Sequence, residues 1–271
     1  MSNVLTLEHA ETVATVWLDR ADARNAMGAE IWDDLPEMME RLGADPTVRV
    51  VIIAARGEAF TVGLDLKAFG PGLMAGFGDG DGPGARAQTR QQVKRMQHTM
   101  TSIARCPKPV IAAVHGYCIG AGVDLITACD IRLATRDAVF SVRETRMAMV
   151  ADVGTLQRLP RIVNPGVVAE LAFTGRDFDG EEAKTMGLVS QVFDSQEELG
   201  KAARAMADQI AANSPLAVQG SKAVLGATEH MSVEQALDYV SVWNAAFLHS
   251  NDLQEAVTAF IEKRPPEFDG T

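Results

Sequence analysis

Positive charge is in short supply in this sequence, and so are long apolar runs. The 271 residues carry 25 Lys and Arg against 36 Asp and Glu, which gives a formal net charge of −11. Nucleic-acid binding depends on clustered cations, so this balance argues against a nucleic-acid partner. No apolar run approaches the ~20 residues that a membrane span requires. The sequence therefore predicts a globular protein with neither a nucleic-acid partner nor a membrane span.

Cysteine is also scarce, with Cys106, Cys118 and Cys129 showing no CxxC spacing. Three is an odd number for a disulfide framework, so we expect buried, reduced thiols. The His and Cys residues show no metal-ligand spacing, and no metal is expected. The first residues, MSNVLTLEHAET, resemble neither a signal nor a transit peptide, and the ending EFDGT is not a peroxisomal address. Together these features predict a cytoplasmic location.

What the chain does have is a pattern of strands alternating with helices, followed by helices alone. Residues 48–55, VRVVIIAA, predict a strand buried on both faces, as in parallel sheets. From residue 197 onward only helical periodicity remains. We therefore expect an α/β core over residues 1–195 and a helical region over residues 196–271. Residues 70–84 contain seven glycines and two prolines, which predicts a flexible loop.

Two glycine-containing turns, at residues 61–64 (TVGL) and 119–122 (IGAG), each follow a predicted strand. Small residues at a strand-to-helix turn allow a backbone to approach a ligand, and a helix start presents free N–H groups. If the turns meet, the N–H groups of Leu64 and Ala121 would bind one carbonyl oxygen as an oxyanion hole. The alternative is that both are merely tight turns.

Three acids lie in apolar surroundings where a surface carboxylate is not expected: Asp124, Glu144 and Asp152. Carboxylates in an apolar pocket acquire raised pKa values that suit proton transfer. Each acid also has a structural alternative. Asp124 would be a buried acid with a structural partner, Glu144 a surface ion pair with Arg143 or Arg146, and Asp152 a helix N-cap.

The chain resembles the crotonase (enoyl-CoA hydratase/isomerase) superfamily along nearly its whole length. The matching segments are AFTVGLDL at 59–66, KPVIAAVHG at 108–116, GAG at 120–122, CDIR at 129–132 and AFIEKR at 259–264. The resemblance implies a spiral of ββα units, a trimer or dimer of trimers held by the helical tail, and an acyl-CoA substrate. It assigns the oxyanion hole to Leu64 and Ala121. The residues expected to contact CoA are Arg24, Val62, Leu64, Asp65, Leu66, Phe260 and Lys263.

The three acids decide the branch that the chain looks like. Hydratases of the family carry a second Glu at the place of Asp124 and a glycine-rich turn at that of Asp152. GVDLITACDIR at 122–132, then Glu144, then ADVGTLQRLP at 151–160 resemble the Δ3,5-Δ2,4-dienoyl-CoA isomerases.

The resemblance implies isomerisation of 3,5-dienoyl-CoA to 2,4-dienoyl-CoA in fatty acid β-oxidation. Glu144 is expected to act at C2, Asp152 at C6, or the reverse, and Asp124 to orient the pair. No cofactor is expected, because CoA is part of the substrate. The alternatives are a 2-enoyl-CoA hydratase and a non-catalytic scaffold of the same fold.

Overall fold

The computed structural model describes residues 3–74 and 82–271, which form two β-sheets surrounded by helices. The strands are β1 Leu5–Ala10, β2 Val13–Leu18, β3 Val50–Ala55, β4 Val110–Val114, β5 Tyr117–Ile119, β6 Ile131–Thr135, β7 Val139–Ser141, β8 Phe178–Asp179 and β9 Gln191–Phe193. The helices of the core are α1 Ala29–Ala44, α2 Leu66–Met74, α3 Pro83–Arg105, α4 Ala121–Ala128, α5 Thr155–Arg158, α6 Pro165–Thr174 and α7 Gly180–Thr185. The C-terminal helices are α8 Gln196–Ala211, α9 Pro215–Thr228, α10 Val233–Phe247 and α11 Asn251–Glu262.

The larger sheet has six strands in the order β1-β2-β3-β4-β6-β9. Only the β1–β2 hairpin is antiparallel, and the following pairs are parallel. The smaller sheet has the order β5-β7-β8. The chain alternates between the two sheets. Strands β4 and β6 belong to the larger sheet, and the strands that follow them, β5 and β7, belong to the smaller one. This architecture confirms the α/β fold predicted from the sequence.

Strand β3 is buried on both faces, as its uninterrupted apolar sequence predicts. Val51 and Ile53 face the main core, which also holds the buried faces of α1, α3 and α4. Val50 and Ile52 face the opposite way and pack against α8. Successive side chains of a strand point to opposite faces, so one strand contributes to two hydrophobic clusters.

Helix α8 covers the second face of the large sheet through Leu199, Ala203, Ala207 and Ala211. Helices α9 to α11 extend beyond it and leave many apolar side chains exposed. The predicted boundary between a core at residues 1–195 and a helical region at residues 196–271 stays a prediction. Helix α8, the first helix of that region, packs against the large sheet of the core. Within the described ranges, no helix has the length and apolar character of a membrane span.

The loop predicted over residues 70–84 is wrong at both of its ends. Helix α2 continues to Met74, and α3 already begins at Pro83. Asp65 caps α2 by accepting from the N–H groups of Lys67 and Ala68, and proline at the first position of a helix has a suitable fixed φ. Residues 75–81 of the predicted loop lie outside the described residues. The three cysteines are buried and free, as expected.

Candidate active site

The two glycine-containing turns lie side by side. The N–H of Thr61 donates to the carbonyl oxygen of Tyr117 at 2.8 Å, and the N–H of Ile119 donates to that of Thr61 at 3.1 Å. A Cβ atom at Gly63 would lie only 2.6 Å from the Ile119 carbonyl oxygen, and its φ is +86°. Both features require glycine at position 63, and this explains how the two turns come so close to each other.

The N–H groups of Leu64 and Ala121 have no acceptor within the described part of the chain, although their neighbours do. The N–H of Asp65 donates to Met27, and the N–H of Val123 donates to Gly120. Ala121 is the first residue of α4, where N–H groups have no partner inside the helix and the helix dipole is positive. Leu64 and Ala121 line the same cavity. Two unpaired N–H groups on one cavity could bind a single carbonyl oxygen, so the oxyanion hole predicted from the sequence stays a prediction.

The cavity has an outer and an inner part. The outer cleft has a volume of about 500 Å³ and is lined by both turns, Glu144 and Met149. The inner hollow, of about 80 Å³, shares Leu64, Ala121, Glu144 and Met149 with it. Asp124, Glu144 and Asp152 all line the inner hollow. The structure therefore brings together the three acids and the two turns that the sequence singled out.

Asp124 lies on α4 and is completely buried. Its Oδ1 accepts a hydrogen bond of 2.5 Å from the N–H of Thr155, at the start of α5. Its Oδ2 has no hydrogen-bond partner in the described chain. Asp124 thus has a structural partner on one side, as the alternative expected, and a free carboxylate oxygen on the other.

Glu144 begins a short 3-10 turn, Glu144–Met147, and is half-buried. A Cβ at Gly120 would lie 3.4 Å from its Oε1, so the carboxylate is adjacent to the turn that carries the Ala121 N–H. Its Oε2 has no partner among the described residues. Arg143 pairs with Asp177, and Arg146 donates to the Thr174 carbonyl oxygen. The predicted surface ion pair between Glu144 and Arg143 or Arg146 is therefore absent from the described residues, because both arginines bind other groups.

Asp152 is the most exposed of the three acids and lies on the turn before α5. The residue at the N-cap of α5 is Gly154, with no side-chain cap, and the N–H of Thr155 is bound by Asp124 instead. The helix-cap alternative for Asp152 is thus wrong, because Asp124, 31 residues before Thr155 in the chain, has that role.

Burial changes the acid–base properties of the site. It raises the pKa of Asp124 from 3.8 to about 7, and the neighbouring charge of Glu144 adds to the effect. Burial also raises the pKa of Glu144 and that of Asp152. Carboxyl groups with raised pKa values exchange protons readily near neutral pH. Within the described residues, no cluster of His, Cys, Asp or Glu has the geometry of a metal site.

Comparison with known proteins agrees with this geometry. The family model described as enoyl-CoA hydratase/isomerase matches residues 8–271. The chain belongs to the enoyl-CoA hydratase/isomerase family. It is 47% identical over 251 residues to the peroxisomal Delta(3,5)-Delta(2,4)-dienoyl-CoA isomerase of Arabidopsis thaliana, covering 93% of this chain and 90% of that protein. It is 44% identical over 253 residues to the mitochondrial enzyme of that name from Homo sapiens, covering 93% and 77%.

Solved structures support the same family fold. The crystal structure of an enoyl-CoA hydratase from Bacillus anthracis matches with a TM-score of 0.89 and 30% identity, over 99% of this chain and 100% of that one. The predicted crotonase-type spiral, and the resemblance to the dienoyl-CoA isomerases, are thereby confirmed. The chain is an enzyme of this family, similar to its dienoyl-CoA isomerases.

The predicted cytoplasmic location is wrong by the same comparison, because the names of these relatives place them in the peroxisome and the mitochondrion. Buried, reduced cysteines require only a compartment that keeps thiols reduced, and this property does not single out the cytoplasm.

The residues expected to contact CoA fall into two groups. Arg24, Val62, Leu64 and Leu66 line the outer cleft. The carboxylate of Asp65 is instead bound to Arg20 at 2.6 Å and caps α2, and its N–H donates to Met27. Phe260 and Lys263, at the end of α11, are exposed and do not line the cleft. Their contact with CoA stays a prediction.

Some lining residues had no site signal in the sequence. Trp32 from α1, with Val93 and Met96 from α3, forms part of the wall of the inner hollow. In the sequence, Val93 and Met96 belong to an apolar stripe that predicts only core packing. Because α1 and α3 come together through the tertiary fold, local periodicity gave no sign that these side chains border the acids.

Proposed function

We propose that this protein converts 3,5-dienoyl-CoA to 2,4-dienoyl-CoA by proton transfer between C2 and C6. The observation that carries the proposal is the inner hollow, where three acids with raised pKa values lie next to the free N–H groups of Leu64 and Ala121. The names of the relatives support the same reaction.

The first step is removal of a C2 proton by the carboxylate of Glu144. The electron pair of the C–H bond moves into the thioester, and the resulting anion is delocalised over the thioester oxygen, C4 and C6. The N–H groups of Leu64 and Ala121 would stabilise the oxygen, and losing one such donor typically raises the barrier by ~3 kcal/mol. Assigning Glu144 to C2 is supported by its position beside Gly120, since C2 is bonded to the carbonyl carbon.

The second step is protonation of C6 by the protonated form of Asp152. The double bonds then lie at C2 and C4, Glu144 holds the proton taken from C2, and Asp152 is ionised. Because Asp152 is exposed, it can recover a proton from water, while Glu144 releases its own. Asp124 would orient the turn that carries Asp152 through its hydrogen bond with the N–H of Thr155. These steps are proton transfers alone and require no metal or redox cofactor, and CoA enters as part of the substrate.

We further propose a homo-oligomer built through α9 to α11. Apolar side chains on these helices are exposed in the single chain, including Val233, Leu237, Val242 and Phe260. An apolar surface of this kind on a soluble protein marks an interaction site. A second copy is the occupant expected from the family resemblance, as a trimer or a dimer of trimers.

Ultraviolet spectra taken with two substrates test the reaction. With a 3,5-dienoyl-CoA, we expect the absorbance of the extended 2,4-dienoyl thioester to appear. With a 2-enoyl-CoA, fading of the enoyl absorbance would identify a hydratase instead. No change with either substrate would favour a non-catalytic protein of the same fold and would contradict the proposal.

A further inference from the structure

The carboxylate of Asp152 has no side-chain partner to hold it in place. Within the described residues, its carboxylate oxygens make no hydrogen bond with another residue. Its direction therefore depends on the position of the backbone turn at residues 152–155. A proton donor has to lie within about 3 Å of the atom it protonates, so this turn must be held firmly.

Within the described residues, three side-chain hydrogen bonds hold the turn, and each comes from a different element. Gln97 of α3 donates from Nε2 to the carbonyl oxygen of Asp152 itself, at 2.6 Å. Arg158 of α5 donates from Nη1 to the carbonyl oxygen of Val153 at 3.4 Å. Asp124 of α4 accepts from the N–H of Thr155. Of the three, only Gln97 binds the residue that carries the acid.

The helix that carries Gln97 also forms a wall of the inner hollow. Val93 and Met96 line the hollow, and Gln97 follows Met96 directly. Further along α3, Met100 and Ile103 are fully buried in the main core, which fixes the helix. The Gln97 hydrogen bond therefore sets the distance of Asp152 from a rigid wall of the cavity that receives the substrate.

We propose that Gln97 is a positioning residue for Asp152, which holds the acid at the distance that proton transfer to C6 requires. The inference rests on the proposed isomerase function. Gln97 does not touch the hollow, so its effect reaches the substrate only through Asp152. It is separate from the oxyanion hole and from Glu144, which lie on other elements.

The test is Gln97→Met, which keeps the length and helix propensity of the side chain but removes the donor. Gln91→Met is the matched control, because Gln91 is an exposed residue of the same helix. We expect Gln97→Met to lower kcat for isomerisation by about 10-fold or more, since small displacements of a reacting group have large effects on rate. KM should change by less than about 2-fold, and Gln91→Met should match the parent enzyme.

A second measurement separates positioning from general damage to the fold. Exchange of the C2 proton of a saturated acyl-CoA with deuterated solvent uses Glu144 and the oxyanion hole, and it should survive in Gln97→Met.

Isomerisation by Gln97→Met at the parent rate would overturn the positioning role while leaving the proposed function intact. Equal loss of isomerisation and C2 exchange in Gln97→Met would also overturn it. Absence of isomerisation by the parent enzyme would instead overturn the proposed function, and the positioning role with it.

Discussion

The two oxygens of the Asp124 carboxylate have different surroundings. Oδ1 accepts from the N–H of Thr155 and so joins α4 to the turn that carries Asp152. Oδ2 is buried without a partner among the described residues, and Asp124 lines the same hollow as Glu144 and Asp152. An unpaired buried carboxylate oxygen is costly when the group is charged. The neutral form is therefore favoured, which agrees with the pKa of about 7.

Replacing Asp124 with Asn should change how stability depends on pH. The pKa of Asp124 rises from 3.8 to about 7 on folding, so between these values the folded chain holds a proton that the unfolded chain has released. The free energy of unfolding should therefore fall as the pH rises through this window. Asp124→Asn still accepts from Thr155 but has no proton to lose.

Urea unfolding of both proteins at about pH 5 and about pH 7.5 measures this effect. The parent should lose more stability than Asp124→Asn between the two conditions. If the two proteins lose the same amount, Asp124 does not hold a proton in the folded state.

Asp152→Asn separates isomerase from hydratase chemistry. The carboxylate of Asp152 is exposed and binds no other side chain in the described chain, so the free energy of unfolding should change by less than about 1 kcal/mol. Isomerisation of a 3,5-dienoyl-CoA should fall by about 10²-fold or more, because Asn cannot donate a proton to C6. Both quantities follow from urea unfolding and the ultraviolet assay.

Glu144→Gln is the control for this experiment. It should abolish both isomerisation and exchange of the C2 proton of a saturated acyl-CoA, whereas Asp152→Asn should abolish only the first. Isomerisation at the parent rate by Asp152→Asn would remove that acid from the mechanism.

At the scale of the element, helix α4 is the part of the fold that joins all components of the site. Its first residue carries the N–H proposed for the oxyanion hole, and its fourth is Asp124. All eight residues of the helix are buried, which fixes both groups relative to the core. Gly120, with φ of +54°, precedes the helix and leaves room for Glu144.

Ala121→Pro tests the contribution of that N–H group. Proline is tolerated at the first position of a helix, where the missing N–H has no partner within the helix. The variant should fold and yet lower turnover by about 10²-fold or more, as loss of one oxyanion-hole donor does elsewhere. Ala121→Ser keeps the N–H and serves as the matched control, with turnover close to that of the parent. A folded Ala121→Pro protein with normal turnover would exclude this donor.

The elements that the sequence predicted well are those with a strong local pattern. The continuous apolar run of β3 is the example, because it is decided by neighbours in the chain. Strands β5 and β8 have only three and two residues and depend on pairing with β7, so no local pattern marks them. The components of the site were visible as residue types. Their arrangement in space could not be predicted, because it depends on tertiary contacts such as the hydrogen bond between Asp124 and Thr155.

At the scale of the whole molecule, the apolar surface is concentrated on the C-terminal helices. Helix α8 buries its apolar side chains against the large sheet. On α10 and α11, by contrast, Leu237 is 63% exposed and Phe260 is 85% exposed. Helix α10 has no buried residue at all in the single chain. Exposed apolar surface of this extent indicates that another protein surface covers these helices.

Leu237→Glu tests whether that covering surface is a second copy of the chain. Because Leu237 is largely exposed, the change should alter the free energy of unfolding of a single chain by no more than about 0.5 kcal/mol. A buried interface would be disrupted, since a charge placed in it has no partner.

Gln196→Glu adds the same charge at an exposed position at the start of α8 and is the control. Sedimentation velocity should show a trimer or hexamer for the parent and for Gln196→Glu, and smaller species for Leu237→Glu. A parent that sediments as a monomer, or a Leu237→Glu protein that assembles as the parent does, would show that this face of α10 does not mediate assembly.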